Sequence, residues 1–522
     1  EISACLVGSE MCIRDSILVS AYVSGSGSYQ IVAELSSDNV CDRGITKNYD
    51  QFYEDVYEWA ENVTTGNDSP RNIWSANYGC IANANQALSA IEEMGGATTA
   101  ALKASKGEAL LCRAYSHFVL ANLFCMPYNP ATADNYLGIP YMDHAETDLN
   151  PRYDRGTLKE VYEMIGKDIE EGIPLIDDNS YAVPKYHFNY KAACCFASRY
   201  YLFIQDWDNA IKYATMALTS NPTSLLRDYD AIAAIPNSAS RHQAYVQSSS
   251  SANFLVQAAT SSSGKVFGWY TTAGRYAHGK LQGTYETVQP KYGGPWGSNV
   301  TFKAGHAVLA SSGKYILPHI WFTFQYTDPV AGTGYSKAVS VLFSMEEALL
   351  NRAEAYVMKM QEDPSALDSA LADMNMYASN LFSSGFTPMT EESIKKWATE
   401  TYPNYSELYV GKTSETSPQT LNPKKKLFAP PYNALEKGGT QESMLQALLF
   451  MRRYQFLHEG MRWFDTRRFG ITVYRYTLDE DDETVLQITD QISDEDGTPD
   501  PRRALQLPSD VIAAGLTPNP RN

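Results

Sequence analysis

The sequence holds no run of about 18 uncharged apolar residues, the length a helix needs to cross a bilayer, so it encodes no transmembrane helix. Cations are in deficit: 42 Lys and Arg face 60 Asp and Glu, a net charge of −18. That balance argues against a nucleic-acid binder, which needs a positive field against phosphate, and against a helix lying on anionic lipid. Cysteine is sparse, with 8 in 522 residues and no Cys-x-x-Cys, so there is no disulfide scaffold and the thiols are expected buried and free. The 8 histidines are scattered singly. Gly-x-Ser-x-Gly, His-Glu-x-x-His, the phosphate-binding Gly-x-x-x-x-Gly-Lys and Gly-x-Gly-x-x-Gly are all missing, and with them the commonest catalytic signatures. Asp494-Glu495-Asp496-Gly497 fails as an EF-hand, because Ile492 stands at position one and Arg503 at position twelve. Only a looser acidic loop for Ca²⁺ is left open, and no other cofactor is expected. Glu346 and Glu347 are adjacent, so on a helix they point apart and do not form a glycosidase pair; Ser344 with Glu347 reads as a capping box.

What is plentiful is aromatic: 36 Tyr, 19 Phe and 8 Trp, within a 44% hydrophobic composition able to build a large core. Helical spacing runs from Trp74 to Met94, stopped by Gly95-Gly96. Thr98 or Thr99 caps a second helix reaching Phe124, with Leu110, Ala114, Phe118 and Ala121 on one face. A sharper pair covers Phe188–Ile204 and Asn209–Thr219. It fits the tetratricopeptide pattern through Ser198, Tyr201, Ala210, Ala217, Leu218 and Pro222, small residues lying where antiparallel helices cross closely. A second copy covers Met345–Met360 and Leu367–Leu381. The fold class is therefore mainly α: tetratricopeptide-like helix pairs over about 50–222 and 341–470, with a loop-rich insertion at about 223–340 and an extended tail at 471–522.

The insertion is rich in Ser, Gly and Tyr, and a tract of that length in a compact protein is usually functional. Gly293-Gly294-Pro295-Trp296-Gly297 reads as a tight turn carrying an exposed Trp. Trp321, Phe322 and Phe324 read as a buried strand. Residues 1–16 have no basic-then-apolar leader. Ile2-Ser3-Ala4-Cys5 matches the small-residue pattern before a lipid-modified Cys, but the run around it resembles translated adapter sequence. The segment is read as non-native, leaving 17–522 as one domain.

Two stretches carry a family resemblance. The first is Trp74-Ser75-Ala76-Asn77-Tyr78 with Ile81, Asn83, Ala84 and Asn85, then Gly107-Glu108-Ala109-Leu110, Arg113 to Phe118, Asn122-Leu123-Phe124 and Pro127-Tyr128. The second is Arg452-Arg453-Tyr454-Gln455-Phe456, Glu459 to Asp465 and Arg467-Arg468-Phe469-Gly470, followed by Leu507-Pro508 and Asn519-Pro520. Together they resemble the SusD/RagB family of Bacteroidetes. Met451 and Gln455 depart from it, standing where acidic residues are usual. The resemblance implies a non-catalytic, surface-exposed outer-membrane lipoprotein that binds oligo- or polysaccharide. It also implies a SusC-like TonB-dependent transporter as partner, with the N-terminal lipid anchor lost from this chain. A tetratricopeptide scaffold or lid for peptide or another non-sugar nutrient is the alternative; a helical glycoside hydrolase would require turnover.

A sugar offers C–H faces to aromatic rings and hydroxyls to amide, guanidinium and carboxylate groups. On that chemistry the candidate ligand residues are Trp296, Trp269, Tyr270 and Tyr292 in the insertion, with Trp74, Asn77 and Arg71 on the first helix pair; Trp74 and Asn77 share a helix face. The arginines between Arg452 and Arg468 are expected to form structural ion pairs with Glu459 and Asp465 rather than to touch ligand.

Overall fold

The computed structural model describes residues 28–45, 50–148, 151–268, 274–288, 293–303, 308–310, 313–317, 319–401, 410 and 424–521. In chain order its main elements are helices α1 (Gln30–Ser36), α2 (Pro70–Glu93), α3 (Ala100–Phe124), α4 (Leu158–Gly172), α5 (Tyr190–Phe203) and α6 (Trp207–Leu218), strands β1 (Asn253–Thr260), β2 (Thr323–Asp328) and β3 (Thr333–Ser344), helices α7 (Met345–Lys359), α8 (Ser365–Ser379), α9 (Thr440–Gln455) and α10 (Met461–Arg468), and strands β4 (Val473–Leu478) and β5 (Val485–Ile492).

Local chemistry sets the helix ends. Pro70 opens α2 and the Ser69 hydroxyl accepts from the Asn72 N–H at 3.2 Å. Gly95 and Gly96, at φ +92° and +93°, end it in a conformation that a side chain would strain. Thr99 caps α3, and Thr157 with Glu160 completes a capping box on α4. The helices then pair in sequence, α2 with α3, α3 with α4, α5 with α6 and α7 with α8, while α6 also packs on α7. The small residues read from sequence lie at these crossings: Ser198, Ala210, Ala217 and Ala353 are fully buried. The α3–α4 crossing is closer still, since a Cβ on Gly107 would stand 2.8 Å from the Gly172 carbonyl oxygen.

The interior is ionic as well as apolar. Helix α7 receives arginines from three directions. Arg199 on α5 grips Glu347 (Nη2–Oε2 2.7 Å), Arg227 grips Glu346 (2.8 Å), and Arg468 on α10 grips Glu354 (Nη2–Oε2 3.0 Å), all buried. Glu346 and Glu347 thus point to different partners. The Ser344 hydroxyl does cap the Glu347 N–H, but the Glu347 carboxylate goes to Arg199, so the reciprocal half of the expected capping box is absent. Asp465 accepts from Arg452 at 3.0 and 3.1 Å and from Arg468 at 3.0 Å. Burial alone would raise its pKa; the two guanidiniums outweigh that and hold it below the usual value. The arginine-rich stretch is structural, as expected, although Glu459 faces His319 rather than an arginine.

The chain ends are woven into this core. Every residue of α1 is buried, and the helix packs on α10. Glu34 accepts from the Gly460 N–H at 2.8 Å, and Asp38 takes two bonds from Arg462 at 2.7 and 2.8 Å. Arg475 on β4 donates to the Leu35 carbonyl at 2.7 Å while lying over the Tyr57 and Trp59 rings. The segment expected to run extended after residue 470 instead forms the β4–β5 hairpin, a 3₁₀ turn at Pro501–Arg503 and a short helix at Ser509–Ala513. In its acidic loop the Asp494 carboxylate accepts from Arg503 at 2.7 Å and from the Asp500 N–H at 3.0 Å. Among the described residues no His, Cys, Asp or Glu cluster could hold a metal, and no helix is long and apolar enough to cross a membrane.

Candidate ligand-binding site

The insertion is less loop-like than its sequence suggests. At its centre is an antiparallel sheet in the order β1–β3–β2, with β2 as an outer edge. The β3 root is buried at Val341 and Phe343, whereas the β2–β3 hairpin projects: Val330 at its tip is 99% exposed. The hairpin is held firmly. Lys337 donates to Thr260 Oγ1 at 2.7 Å, Ser261 N–H to the Ser336 carbonyl at 3.1 Å, and the Asp328 carboxylate caps the turn at Val330 and Ala331. Its base rests on Gly264, where a Cβ would collide with the Trp321 carbonyl oxygen at 2.1 Å.

Alternation along β2 puts Phe322, Phe324 and Tyr326 on one face. Their rings run in sequence, Phe322 to Phe324 at 6.4 Å and Phe324 to Tyr326 at 4.9 Å. Opposite Tyr326 stands Gly334, so the Phe324 ring settles over bare backbone. The other face presents Thr323, Gln325 and, across the pair, Tyr335. Tyr326 and Tyr335 are 58% and 54% exposed, and Trp321, Phe322 and Phe324 are half-buried. This overturns the expectation of a buried strand at Trp321–Phe324. Periodicity marks a strand but not its place in the sheet, and here it is the outermost one.

Trp296 is corrected in the opposite sense. The turn forms, with Gly294 bridging Gly297, but Trp296 folds back over Gly294 and is 6% exposed. Phe382 and Phe450 surround it at 5.2 and 5.3 Å, so it is core and not a platform. Trp269, Tyr270 and Tyr292 lie outside the described residues.

The first helix pair places its candidates around a separate cleft of about 750 Å³ between α2, the 140–146 and 151–154 segments and the 509–516 segment. Trp74 lies on the floor beside Tyr78 and edge-on to Phe124. Arg71 sits at one lip, paired with Asp510 at 2.9 Å. Asn77 faces elsewhere: its amide donates to the Ile73 carbonyl at 2.8 Å, and it borders a small polar pocket with Tyr115, Arg199 and Gln257. The shared face expected for Trp74 and Asn77 is therefore not used by one site.

The loop wall of the cleft is set from behind by buried polar groups. Asn85 donates to the Met142 and His144 carbonyls at 3.0 and 2.9 Å, and Tyr78 donates to the Pro140 carbonyl at 2.8 Å. Arg113 bridges Asp168, Asn85 and the Asp143 carbonyl. His117 accepts from the Met142 N–H and stacks on Tyr141 at 3.8 Å; burial drives its pKa down to about 3, so it is the neutral acceptor this bond requires. Sequence reasoning quoted Asn85, Arg113 and His117 as motif residues without seeing that they share this task.

With the geometry in hand, the chain can be set beside known proteins. Residues 7–202 match the SusD-like family described as starch-binding and associating with the outer membrane. That match begins within the segment that reads as foreign. No curated protein matches. Among solved structures, a SusD superfamily protein of Bacteroides thetaiotaomicron aligns over 100% of both chains at 17% identity and TM-score 0.62. A putative sugar-binding protein of Bacteroides vulgatus aligns over 99% of this chain and 97% of its own at 20% identity and TM-score 0.60. A laminarin-binding SusD-like protein aligns over 99% and 98% at 14% identity and TM-score 0.52. The N-terminal part of the chain thus matches the SusD-like family model, and its whole length shares the fold of SusD superfamily structures.

Proposed function

We propose that the protein binds carbohydrate without catalysis, as a surface lipoprotein of the outer membrane, and delivers oligosaccharide to a SusC-like TonB-dependent transporter. The observation that carries the reading is the exposed aromatic edge of the insertion: Phe322, Phe324 and Tyr326 in a row, with Gln325, Thr323 and Tyr335 behind it. Rings of this kind match the C–H faces of successive sugars. A braced hairpin loses little freedom on binding, which favours affinity on a shallow surface. The SusD-like family match and the sugar-binding description of one structural neighbour point the same way. Trp269, Tyr270 and Tyr292 are proposed to extend this face.

The test is an affinity-gel and glycan-array screen with Phe324→Ala, Tyr326→Ala and Trp296→Ala. The hairpin substitutions should weaken binding to one glycan class about tenfold or more, about 1.4 kcal/mol each, with unchanged melting. Trp296→Ala should lower melting instead. Retained binding in both hairpin variants would refute the assignment, and product formation from the glycan would refute the non-catalytic reading.

A further inference from the structure

We propose that the cleft between α2, the 140–146 and 151–154 segments and the 509–516 segment is a docking site for a basic, amphipathic peptide segment of a partner protein, separate from the aromatic edge. Two features of the cleft select that occupant. The first is that its floor is apolar, built from Trp74, Tyr78, Ile81, Met142 and Leu516. The polar groups near the floor are already engaged. Asn85 spends both donors on the loop carbonyls and its oxygen on Arg113, and the Tyr78 hydroxyl donates to Pro140. Sugar hydroxyls buried there would lose water without finding partners, at a cost of about 1–3 kcal/mol each. Aliphatic or aromatic side chains lose nothing of the kind.

The second is the charge at the mouth. Glu146, Asp154 and Asp510 line it against Arg152, and Arg71 at the lip is already paired with Asp510. The three carboxylates outnumber the two guanidiniums by one, and within a chain of net charge −18 that excess favours a cationic partner over an anionic one. A segment with apolar anchors beside Lys or Arg satisfies floor and rim together. The 142–144 stretch of the wall is held by the Asn85 and Arg113 bonds before any ligand arrives, so docking requires no ordering of that stretch.

The experiment is fluorescence polarisation of the full chain with a fluorescein-labelled Leu/Lys nonapeptide and its Leu/Glu counterpart. The Leu/Lys peptide should bind and weaken with salt; the Leu/Glu peptide should not bind. Ala514→Trp, at an exposed lining position, should fill the cleft, and Asp154→Lys should remove rim charge. Each should weaken the Leu/Lys peptide about tenfold while leaving melting and glycan affinity unchanged. Equal binding of both peptides, no binding of either, or loss of glycan affinity in Ala514→Trp would overturn the proposal. The last outcome would make the cleft a sugar site. Failure of the hairpin variants to affect glycan binding bears only on the aromatic edge, so the two readings fail independently.

Discussion

Asp465→Ala removes the carboxylate at the centre of the buried ion-pair network. In the folded protein that group accepts three bonds, from Arg452 at 3.0 and 3.1 Å and from Arg468 at 3.0 Å. Neither arginine is stripped bare: Arg468 keeps Glu354, and Arg452 keeps Asn351 at 2.9 Å. Both remain buried beside a hole with one positive charge uncompensated, the situation that costs about 3–5 kcal/mol. Unfolding entropy near 2.1 cal/mol/K per residue, taken over 522 residues as one cooperative unit, comes to about 1.1 kcal/mol/K, so the melting temperature should drop by about 3–5 °C. Asp465→Asn keeps the shape and one acceptor oxygen but not the charge, and should fall between parent and Ala variant. Differential scanning calorimetry at one scan rate reads the shift, and affinity for the glycan found in the screen reads function. An unchanged melting temperature with lost binding would show that the arginine cluster belongs to a ligand site and would sink the structural assignment.

Gly107→Val should destabilise the chain by about 1–3 kcal/mol through overpacking at the α3–α4 crossing, read by chemical denaturation; a neutral result would mean the helices can part there without loss. Glu34 tests the pH behaviour of the core. Burial raises its carboxyl from 4.5 to about 7, so the folded state retains a proton that the unfolded chain has released, and wild-type stability from this group falls as pH rises from 4.5 to 7. Glu34→Gln cannot titrate. Whatever its offset, its stability relative to the parent should improve by about 3 kcal/mol across that window and stay level above pH 8. A pH-independent difference would refute the buried-proton account.

The helical frame was readable because it is built from local signals. Ser69-Pro70, Gly95-Gly96 and Thr99 mark ends through bonds within a few residues, and the small-residue crossings repeat with the helical period. The ligand face was not, and the errors share one cause. Trp296 sits in a Gly/Pro turn that looks exposed, yet Phe382 and Phe450, more than eighty residues away in sequence, close over it. Phe322 and Phe324 look like core, yet no strand covers the outer edge of β2 among the described residues. Exposure at both places is decided by what arrives from elsewhere in the chain, and periodicity holds no information on that. One signal was available: Asp328-Pro329-Val330-Ala331-Gly332 is a turn sequence with Thr and Tyr alternating on either side, a hairpin signature that also demotes the strand to an edge.

The bonds that join Glu34 and Asp38 to Gly460 and Arg462, and Leu35 to Arg475, span more than 420 residues. Helix α1 has only seven residues and is too short to persist by itself in water. Its partners are the short helix α10, the glycine before it and strand β4. Loop closure over that distance places the docking of α1 late in folding. Until α10 and β4 have formed, α1 has no surface on which to pack.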